Sequence, residues 1–435
     1  NSNGDSSNSI MSKIEVDAID KQSGSTLTIG GSGTTVQLGT GASQTGFGRT
    51  GTVDWQTSIK TAATFTAANG EGYFVDTSSN AVTANLPAGS VGAIVAFKDY
   101  AQNFDTNALT ISANGSDKIE GLTEDLVLNT EGIATTLIFG DATKGWQSVN
   151  SNEVVHARKF VAATGGTETT VCTNFKVHTF TGPGTFTVSC GGNASGSNTV
   201  EYLVVASGGG GGGSLGGAGG ASGGGAGGFR TNFPSPVTGG LPVSAQEYTI
   251  TVGAAGSPGA AAGFTSGNAG NGNTSTFSTI TSAGGGGGRG GPCGSQDGAP
   301  GGSGGGASGG NTLRCGGSGN TPSVSPPQGN DGGDHQVATN VYSSAGGGGA
   351  GGVGANTVNC STKNAGGPGV ANTITGSPVT YAAGGGGGDY AGRSGGAGGT
   401  ANTGNGGEGA SGPANPGLPG GGGGSGIVII RYKFQ

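Results

Sequence analysis

The sequence predicts an all-β protein whose C-terminal half is a bundle of glycine helices, with little or no α-helix. In the N-terminal half, short apolar segments alternate with polar residues at the two-residue period of a β-strand. Glycine accounts for 105 of the 435 residues and is concentrated in the C-terminal half. Each long glycine run lies beside a short β-like segment, for example EYLVVAS before the first run and GIVIIRY after the last.

Composition divides the chain into four parts. Residues 1–50 form a short, repetitive β segment, and residues 51–152 form a β-sandwich. Residues 153–206 form a linker with a β-hairpin. Residues 207–435 form the glycine-rich domain, which ends in a strand at residues 427–433.

The first 50 residues alternate apolar and polar side chains, but such short strands bury little surface unless several chains wrap around one axis. From residue 51, strands recur every 8 to 12 residues, as in a β-sandwich. The pair Asn114-Gly115 predicts a hairpin turn. Trp55 and Trp146 are interpreted as core aromatic residues.

In the third part, FKVHTF and TFTVSC are predicted to form a hairpin around Gly-Pro-Gly. Cys172 and Cys190 flank this hairpin, and both a disulfide and two reduced thiols remain open. The chain has five cysteines, so at least one thiol stays unpaired within it. No CxxC spacing of a zinc site occurs.

The compositional default for the glycine runs is a flexible linker, but the β-like segment beside each run predicts order. Glycine loses the most backbone entropy on folding, and only backbone hydrogen bonds can offset that loss here. Helices of the polyproline-II type have three residues per turn and direct N–H and C=O groups outward. A bundle with six neighbours per helix needs glycine at nearly every contact. We therefore expect residues 207–426 to be ordered and Gly386→Val to be disruptive.

Charge and motifs exclude several classes of function. Charged residues make up 9% of the chain, the net charge is −7, and no basic cluster occurs, which argues against nucleic-acid binding. No apolar run approaches the ~20 residues of a membrane span, and the polar first ten residues do not resemble a signal peptide. Glycine strings that match GxGxxG do not open a helix after a strand, so no cofactor is predicted. No nucleophile elbow or catalytic carboxylate pair stands out, and we expect no enzyme.

Binding residues are expected in the loops between glycine runs, because exposed aromatic side chains and arginine dominate binding hot spots. Three loops carry them. The candidates are Phe229, Arg230 and Phe233 in the first loop, His335 and Tyr342 in the second, and Asp389, Tyr390 and Arg393 in the third. In the alternative interpretation these aromatic rings cover the ends of the bundle.

The string DGGDH places two carboxylates beside a histidine, at Asp331, Asp334 and His335. Such a set could hold a cation weakly. A solvated polar loop is the favoured interpretation, and no metal site is predicted.

Several strings resemble the glycine-rich domain of phage tail and virion proteins, namely HTFTGPGTFTV, EYLVVASGGGGGG, YTITVGAAG, STITSAGGGGG, TYAAGGGGG and GGGGGSGIVIIRY. The stretch from GYFVDTSSNAVTANLPAG to KGWQSV is similar to a β domain common in marine phage fibre proteins. The resemblance implies a sandwich of polyglycine-II helices. As in the distal adhesins of T-even-like phages, variable loops on that sandwich would bind the host outer membrane.

The resemblance implies a tail fibre or receptor-binding protein of the virion, with residues 1–50 as the attachment and fibre segment. The expected partners are a host cell-surface protein or glycan, other virion tail proteins, and two further copies in a homotrimer. The main alternative is a subunit of an extracellular filament. An ice-binding protein is less favoured, because ice binding needs a flat face and a strict three-residue repeat.

Overall fold

The computed structural model of the chain describes residues 53–150, 155–214, 216, 219–234, 240–261, 267–291, 296–336 and 341–435. The expectations for residues 1–50 and for Cys293 lie outside this part. Within it the protein is all-β, with 23 strands and no helix. The strands are β1 (Asp54–Lys60), β2 (Thr64–Thr66), β3 (Glu71–Val75), β4 (Val82–Asn85), β5 (Ile94–Asp99), β6 (Leu109–Ser112), β7 (Leu126–Leu128), β8 (Ala134–Asp141), β9 (Gly145–Ser148), β10 (Val155–His156), β11 (Val161–Thr164), β12 (Thr167–Val171), β13 (Phe175–Phe180), β14 (Gly184–Gly191), β15 (Thr199–Val205), β16 (Phe229–Thr231), β17 (Leu241–Pro242), β18 (Glu247–Thr251), β19 (Ser275–Phe277), β20 (Ile280–Ser282), β21 (Val370–Asn372), β22 (Val379–Tyr381) and β23 (Ile427–Lys433).

The first ten strands form a sandwich of two five-stranded sheets, in the orders β1-β3-β5-β8-β9 and β10-β7-β6-β4-β2. The chain alternates between the sheets, so β1, β3 and β5 pair in parallel in one sheet and β2, β4 and β6 in the other. Their inward side chains share one core, in which Phe97, Phe104 and Trp146 are fully buried. Trp146 is a core residue as predicted. Trp55 is not, because it lies on the outer face of its sheet with 41% of its surface exposed.

The hairpin predicted at Asn114-Gly115 is wrong, although a turn is present there. Gly115 has a φ of 56°, but β6 pairs with β7 across a longer connection than a two-residue turn. The period of a strand indicates which side chains are buried, whereas the pairing partner depends on where the chain crosses to the other sheet.

A second β unit consists of two more sheets, in the orders β11-β14-β18-β19-β20 and β12-β13-β23-β15-β16. Phe186, Phe277 and Tyr432 fill the space between them. The second of these sheets is apolar on both faces. Its other face packs against Tyr381 of β22 and against Ala226 of the glycine-rich region. The strand predicted at residues 427–433 is confirmed as β23, which is the middle strand of this sheet.

The hairpin predicted around Gly-Pro-Gly is also wrong. Strand β13 pairs with β12 and β23 in one sheet, and β14 pairs with β11 and β18 in the other. Cys172 lies in the turn between β12 and β13, whereas Cys190 is on β14 of the other sheet, and both are free thiols. Of the two alternatives left open for this pair, the structure has the reduced thiols.

The glycine segments form a block held together by backbone hydrogen bonds. In segment 208–214, successive N–H groups donate in turn to carbonyls of three neighbouring segments, at 2.8–3.0 Å and with a three-residue period. The carbonyls of residues 207–212 accept in turn from three others, at the same distances. The donor-side neighbours are 418–424, 222–225 and 267–270, and the acceptor-side neighbours are 256–259, 285–288 and 407–410. The backbone bonds of this segment thus repeat every three residues and reach six neighbouring segments.

Glycine is required in the interior of this glycine block by the close approach of the backbones. A Cβ atom at Gly209, Gly212 or Gly223 would lie 1.9–2.3 Å from a carbonyl oxygen of a neighbouring segment. The expectation that Gly386→Val is disruptive is wrong, because a Cβ atom at Gly386 would contact only the carbonyl oxygen of Asn364, at 3.5 Å. Gly386 borders an open groove, whereas a Cβ at the adjacent Gly385 would lie 2.0 Å from a carbonyl oxygen.

Successive segments run in opposite directions, so the glycine block has two ends. At the strand end, segments continue directly into strands, as residue 228 does into β16 and residue 426 into β23. At the tip end, segments are joined by loops away from the sheets, where Gly220 donates to the carbonyl of Tyr342 and Ser411 to that of Ser394. At a rise of about 3.1 Å per residue, as in an extended polyproline-II chain, the two ends of segment 219–228 lie roughly 30 Å apart.

Candidate functional site

The tip end brings residues from two of the predicted loops into contact. The rings of Tyr342 and Tyr390 lie 5.5 Å apart, tilted by 38°. A third loop joins them, because the Tyr390 N–H donates to the carbonyl of Cys360 at 2.9 Å and the Tyr342 N–H lies 3.4 Å from the Cys360 sulfur. Three loops that are separate in sequence thus meet around one pair of aromatic rings.

The loop after Gly388 divides its three candidate residues between two roles. Tyr390 has 37% of its surface exposed, and Arg393 is exposed. Asp389 shapes the loop, since its carboxylate accepts from the Gly392 N–H at 3.3 Å and its carbonyl from the Gly412 N–H at 2.7 Å. Tyr390 and Arg393 are therefore available to a ligand, and Asp389 supports them.

Two exposed aliphatic side chains at this end were missed by the sequence analysis. Leu313 and Val358 are 62% and 63% exposed. Each is next to a residue of a small ladder in which Arg314 pairs antiparallel with His335 and His335 pairs in parallel with Thr357. The signal in the sequence was an aliphatic residue within an otherwise polar loop, as in NTLRC and NTVNC.

His335 does not lie on the surface. Its side chain is fully buried, and its Nε2 lies 3.1 Å from the carbonyl oxygen of Gly310. In the tautomer with a proton on Nε2, this nitrogen donates to that carbonyl. His335 therefore supports the tip loops from beneath and cannot contact a ligand directly.

The string DGGDH is part of the glycine block, so its interpretation as a solvated loop is wrong. The Asp331 carboxylate accepts from the Gly319 N–H at 2.7 Å, and the Asp334 carboxylate from the Gly316 N–H at 2.8 Å. Asp331 and Asp334 are three residues apart, and so are Gly316 and Gly319, which is the period of the backbone bonds between segments. Each carboxylate therefore accepts an N–H group in the way that a backbone carbonyl does between other segments. Among the described residues, no group of three or more His, Cys, Asp or Glu side chains could hold a metal ion.

Phe229, Arg230 and Phe233 lie at the strand end, about the length of a glycine segment from the tyrosine pair. Phe229 belongs to β16, and its ring and that of Phe233 pack against the core below β15 and β23. Arg431 places its guanidinium 5.0 Å from the centre of the Phe233 ring. The Arg230 guanidinium donates to the carbonyl of Thr281 at 3.3 Å. Phe229 and Phe233 therefore match the alternative interpretation, in which aromatic rings cover an end of the bundle.

A groove of about 380 Å³ runs along one face of the glycine block below the tip loops. Residues 363–366, 384, 386–387 and 408–409 line it, and Lys363 and Glu408 are its charged residues. The described residues include no helix that is long and apolar enough to cross a membrane.

Two family models match the chain. Residues 13–154 match the model described as Bacteriophage T4 gp9/10-like protein, N-terminal, and residues 179–433 match the model described as Glycine-rich domain. No curated protein sequence matches. The second match spans more than half of the chain and includes β14, β15 and β23 as well as the glycine segments. The chain therefore belongs to the glycine-rich domain family, and together the two matches support a phage fibre protein with a glycine-rich region.

Proposed function

We propose that this protein is a phage tail fibre subunit whose tip end recognises the host cell surface without catalysis. The observation that carries the proposal is the contact between Tyr342 and Tyr390, which joins separate loops at the end of the glycine block away from the strands. Aromatic side chains and arginine are the residues on which binding energy concentrates. Tyr390 and Arg393 present both types at this end.

The glycine block suits this role because it fixes the stems of the loops. We interpret it as a polyglycine-II sandwich, in which each stem is bonded to its neighbours through the backbone. A loop that is already ordered loses less conformational freedom when it binds, which favours affinity. Loop sequences can then vary while the glycine scaffold stays the same.

The proposed partners are a host cell-surface protein or glycan at the tip and other virion tail proteins elsewhere. The match of residues 13–154 to a phage structural protein supports attachment of the N-terminal part to the virion. We further propose a homotrimer, located in the tail fibre. Images of intact virions labelled at the tip end distinguish this arrangement from an extracellular filament.

The test combines Tyr390→Ala with Arg393→Ala in fibres on intact virions. We expect adsorption to host cells to fall at least tenfold, because both residues contact the host surface in the proposal. The matched control is Val379→Ala at the strand end, where Val379 has the same 37% exposure as Tyr390.

Thermal unfolding of the purified fibre checks that both variants stay folded. Wild-type adsorption by the double variant and by replacements of the loops at 358–364 and 388–394 would show that the tip does not bind the host.

A further inference from the structure

A row of three aromatic rings crosses the outer face of the first sandwich, far along the chain from the tip loops. Trp55 lies on β1, Phe74 on β3, and Tyr100 directly after β5. The Trp55 and Phe74 rings are 5.0 Å apart, and the Phe74 and Tyr100 rings 6.5 Å apart. Trp55 is 41% exposed and Tyr100 55% exposed. The sandwich core lies on the opposite face of this sheet, so the row is not part of it.

The position of the indole is set by a glycine within the neighbouring strand. Trp55 pairs in register with Gly72, and a Cβ atom at Gly72 would lie 2.8 Å from the indole ring and 2.6 Å from Val53. The indole therefore lies against the backbone of β3 with its other face outward. Glycine inside a strand weakens the strand and often marks the close approach of another group. Here Gly72 leaves room for the indole ring of Trp55 to lie flat on the strand.

Two polar groups accompany the rings. Lys98 pairs in register with Phe74, so its side chain leaves the same face of the sheet. Its ammonium group donates to the carbonyl of Gly132. Tyr100 contributes a hydroxyl group, and its backbone N–H is held by the carbonyl of Val75 at 2.9 Å. Binding sites for small ligands combine apolar surface with a few fixed polar groups in this way.

The size of the row indicates its partner. Aromatic side chains bury 150–250 Å² each, so the exposed parts of Trp55 and Tyr100 amount to roughly 200 Å². A stable protein interface needs about 800 Å² from each partner, which is several times more. Sugar rings stack their C–H faces on exposed aromatic rings, and the ring spacings here are of the order of one sugar unit.

We propose that Trp55, Phe74 and Tyr100 form a binding site for a short stretch of a linear oligosaccharide. Successive sugar rings stack on the aromatic row, and Lys98 and the Tyr100 hydroxyl bond to sugar hydroxyl groups. This site is independent of the proposed tip site, since it lies on the first sandwich and not on the glycine block, and uses none of the same residues.

The test uses the fluorescence of the full chain, because one of its two tryptophans is in the site and the other, Trp146, is fully buried. The probes are soluble linear tri- and tetrasaccharides of glucose, galactose and N-acetylglucosamine. We expect at least one of them to shift the emission saturably, and Tyr100→Ala to weaken its binding about tenfold. The control Val91→Ala, which removes an exposed apolar side chain of the same sandwich, leaves binding unchanged.

Three results would overturn the proposal. The first is that no probe shifts the emission, and the second is that Tyr100→Ala binds as the wild type does. The third is that Trp55→Ala breaks up an assembly measured by light scattering, because the row would then join copies of the chain. The Tyr390→Ala, Arg393→Ala variant separates the two proposals, since it keeps full saccharide binding here even if host adsorption is lost.

Discussion

The first sandwich and the glycine block are both ordered, but they are packed by different parts of the chain. In the sandwich, side chains such as Phe97 and Trp146 fill the space between two sheets. In the glycine block, segment 208–214 is buried along its whole length although it consists of glycine and one serine. Its contacts are backbone groups of six neighbouring segments.

The difference predicts opposite sensitivities to substitution. A sandwich loses stability when atoms are removed, because the lost apolar contact and the cavity both cost free energy. The glycine block loses stability when atoms are added, because a Cβ separates backbones that must bond to one another. The two regions can therefore be compared by one substitution of each kind.

The largest effect is expected for Gly212→Val in the centre of the glycine block. A Cβ atom there would lie 2.2 Å from the carbonyl oxygen of Arg289, and Gly212 itself donates to Ser222 and accepts from Ala410. Because a rotamer change cannot move a Cβ, neighbouring segments must separate and leave buried N–H and C=O groups unpaired, at about 1–3 kcal/mol each. We expect the glycine block not to fold, measured as fast amide exchange in residues 219–228 and 418–424.

The control for this prediction is Gly386→Ala, whose Cβ has only a 3.5 Å contact. Its free energy of unfolding should stay within about 0.5 kcal/mol of wild type. Equal protection from exchange in both variants would mean that the segments are not packed through their backbones.

The next largest effect is expected for Trp146→Ala in the first sandwich. Trp146 is fully buried and packs edge-on against Phe139 at 5.6 Å. We expect a loss of about 3–5 kcal/mol in the free energy of unfolding of this unit, as for other aromatic residues in cores. Denaturant unfolding followed by amide exchange should show unchanged protection in the glycine block.

Trp55→Ala is the matched control, because the residue type is the same and the side chain is partly exposed. We expect it to cost about 1 kcal/mol or less. A cost as large as that of Trp146→Ala would contradict the distinction between core and surface aromatic residues.

Sequence patterns identified the strands better than they identified strand partners. The apolar run at residues 427–430 predicted a buried strand correctly, because a fully apolar run is stable only between two covered faces. The turn at Asn114-Gly115 was placed correctly but does not join paired strands, since a turn signal describes local backbone alone. Trp55 was misassigned because its exposure depends on Gly72 in the neighbouring strand, which no local pattern reveals.

The geometry of the proposed tip site follows from the sequence only in part. Tyr390 and Arg393 were identified by residue type, which is a property of the sequence. The contact of Tyr390 with Tyr342 depends on how three loops return to one end of the glycine block. The sequence also contains a signal for the packing of the glycine block. Asp331 and Asp334 are three residues apart, as are Asn268 and Asn271, and all four side chains accept N–H groups from neighbouring segments. This spacing marks segments at the edge of the glycine block.

The smallest effect is expected from pH, and it should separate the side-chain-packed sheets from the backbone-packed segments. His178 on β13 is buried, and burial lowers the pKa of its imidazole below the usual value of 6.5. Its Nδ1 lies 2.7 Å from the carbonyl of Gly165 and its Nε2 3.1 Å from the Tyr432 hydroxyl. Glu168 is 3.8 Å away and acts in the opposite direction, while Lys176 reinforces the shift.

Because the folded pKa is lower than the unfolded one, this contribution to stability is present above pH 6.5 and is lost as the pH falls from 6.5 towards the folded pKa. Amide exchange in β13 and β23 should therefore quicken over this interval. Segment 208–214 should be affected less, since its bonds join backbone amides that do not titrate. In His178→Gln the side-chain amide can still donate to Gly165 and carries no charge, so the pH dependence should disappear. If amide exchange quickened to the same extent in the strands and in segment 208–214, the two regions would unfold together as one cooperative unit. The difference in packing would then not divide the protein into separately unfolding parts.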